Sequence, residues 1–119
     1  MHTSLEGLAS QMLVAIETER ATYVGLDSDG SSLVTTPTVL VFSASRLSVE
    51  NPYHLQSQRG NTLQDLVGLT VAEAFWTVEE LVILFAGGER FAVSLRDSDF
   101  VSPEAAVYAP SHGPIVVFN

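Results

Sequence analysis

Cysteine and lysine are both missing from this 119-residue chain, and its five basic residues are all arginines. Without thiols there is no disulfide framework, no thiolate metal site and no cysteine nucleophile. Without a lysine amine there is no Schiff-base chemistry. Positive charge is scarce: five arginines face fourteen acids, for a formal net charge of −9. A surface of that sign repels phosphate, so a nucleic-acid-binding face is not expected. Long apolar runs are lacking too. The longest, residues 81–86, falls far short of the roughly 20 residues that carry a helix across a bilayer. The opening Met1-His2-Thr3-Ser4-Leu5-Glu6 has no basic n-region, which argues for a cytoplasmic chain with no membrane partner.

What is present is a substantial apolar fraction, 46%, with only 16% charged residues. That is enough for residues 1–119 to fold as one domain on its own core, without a staple. The low charge fraction leaves apolar surface to spare, and a homodimer is expected.

The periodicity predicts an α+β domain. Thr3 and Glu6 have capping-box spacing, and Leu5, Leu8, Ala9, Met12, Leu13 and Ile16 recur at three- and four-residue steps. These features predict a helix over about 4–20, packed on a sheet. From residue 23 to 118 the pattern is strand-like. Residues 38–43, 46–50, 70–78, 81–86, 89–95 and 114–118 are rich in β-branched and aromatic side chains. Turn residues at 27–30, 58–61, 87–88 and 110–114 separate them, and a short helical turn is expected over 62–67, with Thr62 and Asp65 at its start. The sheet is expected to be an antiparallel meander or partly closed barrel. Strand 81–86, apolar on both faces, belongs at its centre.

An echo runs through the chain. Val24-Gly25-Leu26 precedes Phe42 by the spacing at which Val67-Gly68-Leu69 precedes Phe85, and Val39-Leu40-Val41-Phe42 lies over Val82-Ile83-Leu84-Phe85. One added residue in the second turn brings Arg46-Leu47-Ser48-Val49 over Arg90-Phe91-Ala92-Val93. This suggests two related β-meander units, 23–50 and 66–94. Turns at 44–45 and 87–89 would set Phe42 against Leu47 and Phe85 against Phe91, with apolar cross-strand pairs in both hairpins.

Chemistry is sparse. Asp27-Ser28-Asp29-Gly30 starts like a calcium loop but lacks the later ligands and reads as a turn. Asp97, Asp99 and Glu104 are the densest acidic cluster, a set that in one pocket would hold a cation or share acid and base roles, and in a loop is merely solvated. His54 follows Asn51-Pro52-Tyr53, and Trp76 with Phe75 offers a stacking surface or simply core. His54, Trp76, Asp97, Asp99 and Glu104 are therefore the candidate ligand-binding residues. No catalytic residue, metal site or cofactor is assigned: there is no G-x-S-x-G elbow, no phosphate-binding glycine loop and no paired histidines.

Residues 81–88, then Arg90-Phe91-Ala92-Val93, then Pro103-Glu104-Ala105, resemble a pattern of small uncharacterised bacterial proteins: apolar strand, glycine turn, apolar strand, Pro-Glu-Ala step. Asn51-Pro52-Tyr53 and Leu66-Val67-Gly68 resemble elements that precede that hairpin. Some proteins of this kind are immunity proteins, which implies a basic toxin as partner. The residues themselves point first to a non-catalytic protein-interaction domain. The alternatives are an immunity-type protein that neutralises a basic toxin, and a small-ligand-binding protein or enzyme with a carboxylate/histidine pocket.

Overall fold

In the computed structural model, which describes residues 3–5, 7–18, 22–26, 32–35, 37–57, 62–100 and 104–119, the expected N-terminal helix is absent. Thr3–Ser4 (β1) and Leu13–Thr18 (β2) are strands with a turn-rich loop between them. Gly7 and Ser10 take left-handed backbone, at φ 88° and 75°, which interrupts any right-handed helix. Leu5, Leu8 and Leu13 are indeed buried, but they reach the core from a loop and a strand rather than from one helical face. Met12, which a helix would have buried with them, is 43% exposed. Val14 and Ile16 are β-branched and favour the extended chain. The domain is thus nearly all β rather than α+β. Among the described residues, helical backbone is confined to 3-10 turns at Leu63–Leu66 and Asp97–Asp99. In the first of these, the Thr62 amide and hydroxyl both donate to Asp65 Oδ2, at 3.2 and 3.0 Å.

The other strands are Thr22–Leu26 (β3), Ser32–Thr35 (β4), Thr38–Phe42 (β5), Ser45–Val49 (β6), Tyr53–Gln56 (β7), Val71–Trp76 (β8), Glu80–Phe85 (β9), Arg90–Ser94 (β10), Ala106–Pro110 (β11) and Val116–Phe118 (β12). One five-stranded sheet runs β1-β8-β9-β10-β7, a second β12-β11-β6-β5-β2, and β3 with β4 forms a separate ribbon. Pairing is antiparallel throughout the described strands. One core joins the sheets: Leu40, Leu47 and Phe42 from the second meet Ile83, Phe91 and Phe85 from the first. Strand β9 is central in its sheet and buried on both faces, with Leu81, Val82 and Ile83 at 0–1% exposure. His2, Glu6, Pro103 and the turns at 27–30 and 58–61 lie outside the described residues.

Both central hairpins turn one residue earlier than the apolar pairs suggest. Phe42 pairs with Ser45 and Leu40 with Leu47, around a two-residue turn at Ser43-Ala44. Ile83 pairs with Phe91 and Leu81 with Val93, around a three-residue turn at Ala86-Gly87-Gly88. Each register moves by two residues, so every side chain keeps its face. Gly88, at φ 96°, supplies the left-handed residue that a three-residue hairpin wants. Ser43-Ala44 has none and is held from outside: Gln11 Oε1 accepts from the Ala44 amide and the Ser45 hydroxyl, each at 2.9 Å.

Four strands of each sheet match four of the other. Leu13 pairs with Phe42 and Val71 with Phe85, and each pairing is followed at once by a bulge, before Ala15 and before Glu73. The last strand of each unit crosses to the other sheet: β7 joins β10, and β11 joins β6. The two units meet at a bridge between Met12 and Thr70. There Leu13 N donates to Leu69 O at 3.0 Å while Val71 N donates to Gln11 O at 2.8 Å. Beyond this antiparallel bridge, Ser10 N donates to Val71 O at 2.7 Å and Gly68 N to Leu13 O at 2.8 Å, so equivalent positions of the two units exchange equivalent bonds, as about a two-fold axis. The equivalence covers the hairpins of the sequence echo but not its first part. Val24-Gly25-Leu26 lies in ribbon strand β3, whereas Val67-Gly68-Leu69 follows a 3-10 turn.

Candidate functional site

The five sequence-derived candidates divide between two places. Trp76 ends β8, where Thr3 of β1 is its strand partner. Its indole meets the Phe118 ring edge to face, with centroids 5.2 Å apart and planes at 80°. This contact stands between two chambers at the open end of the sandwich, bounded by edge strands β1 and β12. One, of about 460 Å³, is lined by Trp76 and Asp97 together with Val78, Leu95, Val117 and Phe118. The other, of about 510 Å³, has Trp76, Leu5, Tyr108, Pro110, His112 and Val116 in its walls.

Tyr108 in the second chamber was not legible as a site residue, because β11 lies between prolines and carries no motif. Its side chain is 2% exposed, and its hydroxyl has no hydrogen-bond partner among the described residues. That oxygen lies 3.9 Å from where a β-carbon on Gly7 would stand, and Gly7 lines the same chamber. Burying a hydroxyl without a partner costs about 1–3 kcal/mol. Gln11 closes the rim, with its amide nitrogen donating to Gly7 O at 2.6 Å.

His54 and Asp99 lie elsewhere, beside a shallow depression of about 270 Å³ on the outer face of the first sheet. His54 is exposed on β7 opposite Ala92. The acids here are engaged: Ser94 Oγ donates to Asp99 Oδ2 at 2.6 Å, Arg90 pairs with Glu80 at 2.6 Å, and Arg96 with Glu79 at 3.6 Å. Glu104 is exposed ahead of β11 and lines neither place. Asp97, Asp99 and Glu104 therefore do not meet in one pocket. Among the described residues no three histidine or carboxylate side chains are grouped as a metal site.

The outer face of the second sheet is a different kind of surface. Strand pairing sets Glu17, Val39, Ser48, Val107 and Val117 in one row across all five strands. The next row holds Ala15, Val41, Arg46 and Ala109. A sheet with one solvated face normally alternates apolar with polar residues. Here valine or alanine occupies most of that face: Val39 at its centre is buried, Ala15, Val41, Val107 and Ala109 are half-buried, and Val117 is 43% and nearby Ile115 63% exposed. Its charges, Arg46 and Glu17, pair with each other at 3.1 Å. No helix among the described residues is long and apolar enough to cross a membrane. Comparison with protein-family models, with curated proteins and with solved structures finds no match for this chain.

Proposed function

We propose that this chain is a non-catalytic protein-interaction domain of the cytoplasm that pairs with a second copy of itself through the outer face of the second sheet. The observation that carries this reading is the row of Val107 and Val117 beside Val41 and Ala109, apolar where a solvated sheet is polar. A second copy is the occupant that fits. Among the described residues, the ion pair given for this face, Arg46 with Glu17, is self-complementary. In a two-fold contact Arg46 of each copy can turn to Glu17 of the other.

Size sets the strength. Five strands of three to six residues, about 4.8 Å apart, span a face of roughly 400 Å² with Val39 buried at its centre, so each copy offers at most half of what a standard stable interface covers. The pairing is therefore weak and concentration-dependent. In sedimentation velocity, the wild-type chain should shift from one to two chain masses as concentration rises through the micromolar range. Val117→Glu, on an exposed edge position, should stay at one chain mass with an unchanged circular dichroism spectrum. A variant that dimerises as well as the wild type would contradict this reading.

A further inference from the structure

We propose that the open end of the sandwich accepts an extended, basic segment of a partner protein as an added strand on β12, with its side chains seated in the two chambers beside Trp76. The inference rests on the reading of the chain as an interaction domain and uses the edge of β12 and the chambers beside it, which share Val117 with the self-pairing face. Sheet order leaves β12 bonded to β11 on one side, with no strand partner among the described residues on the other. Such an edge is a template for another chain.

The other edge strands of the two five-stranded sheets are bent, polar or shorter still. Strand β2 is bent by its bulge and carries Glu17; β7 follows Pro52 and presents His54 and Gln56; β1 is two residues long. Strand β12 is three residues long and follows Pro114, but the stretch 115–118, Ile-Val-Val-Phe, carries neither proline nor charge. Beside it lie two chambers separated by the Trp76–Phe118 contact. A strand puts every second side chain on one face, about 7 Å apart, so one extended segment can fill both. Charge selects the occupant: Asp97 lines the first chamber, and the chain carries −9 overall.

Trp76 is the only tryptophan in the chain, so its fluorescence reports the groove directly. The probe is a capped peptide of seven residues, alternating valine and threonine, with arginine at both ends. Titrated into the full-length chain, it should shift the tryptophan emission and raise the hydrogen-exchange protection of amides 115–119. Replacing the central residue of the peptide by proline should weaken binding by about tenfold, through loss of an edge hydrogen bond and of the extended shape. Glutamate in place of both arginines should weaken it at least as much. No emission change at millimolar peptide, or equal binding by the proline peptide, would overturn the strand-addition proposal. Chain mass measured by sedimentation in the same samples separates this outcome from failure of the self-pairing reading, which Ala109→Glu, on the outer face and in the wall of neither chamber, tests independently.

Discussion

Single residues here do work that their local sequence would not suggest. Gln11 sits in a loop, yet its side chain ties that loop to the first hairpin turn with three bonds: it donates to Gly7 O and accepts from Ala44 N and Ser45 Oγ. The Ser43-Ala44 turn has no left-handed residue of its own, so this bracing replaces turn chemistry. Gln11→Ala should destabilise the fold by about 1–2 kcal/mol in chemical denaturation, since one side chain's bonds are lost and the turn stays out of its preferred shape. Gly88→Ala tests the opposite case. Nothing stands within 4 Å of a β-carbon there, so the cost is purely that of a left-handed backbone at φ 96°, about 1–2 kcal/mol. Equal stability of the alanine variant would mean that the three-residue turn is not formed as described.

At the scale of elements, the two hairpins act as matched halves. Leu40 and Ile83 occupy equivalent positions, each opposite the inward residue of the neighbouring strand in its own hairpin, Leu47 and Phe91, and each is 0–1% exposed. Leu40→Ala and Ile83→Ala should therefore each cost about 2–5 kcal/mol, as buried truncations do. A large cost for one and none for the other would contradict the shared core.

These hairpins were legible because β-branched runs broken by turn residues leave a clear period-two mark, and a shift of two residues changes no face. The N-terminal segment was misread for an equally physical reason. Leu5, Leu8 and Leu13 fall at spacings a helix would use, but Gly7 and Ser10 turn the chain between them. Nothing in a single sequence shows that left-handed serine. Strands β7 and β11 were missed because their partners are distant: β7 pairs across about forty residues, and β11 about sixty. The site suffered likewise. Trp76 and Asp97 do line one chamber and His54 and Asp99 one depression, but the sequence could not divide them, since the division follows from which sheet face each strand presents.

At the scale of the whole molecule, charge gives two surfaces opposite responses to salt. Two copies that each carry −9 repel, and salt screens that repulsion over a Debye length of about 10 Å at 0.1 M. Self-pairing through valine and alanine should therefore tighten as salt rises. Binding of a basic segment at β12 should weaken over the same range, because the attraction is what is screened. Measuring both in one salt series, by sedimentation and by Trp76 emission, distinguishes the surfaces without any mutation. The same sign of response at both would contradict the assignment of one surface to apolar contact and the other to charge.

Sedimentation equilibrium of the wild-type chain beside Val117→Glu tests the central claim most directly. The account predicts a wild-type mass that rises with concentration from 12.8 kDa toward twice that value, and a variant that stays at 12.8 kDa throughout. A wild-type chain that remains at one chain mass into the millimolar range would contradict it.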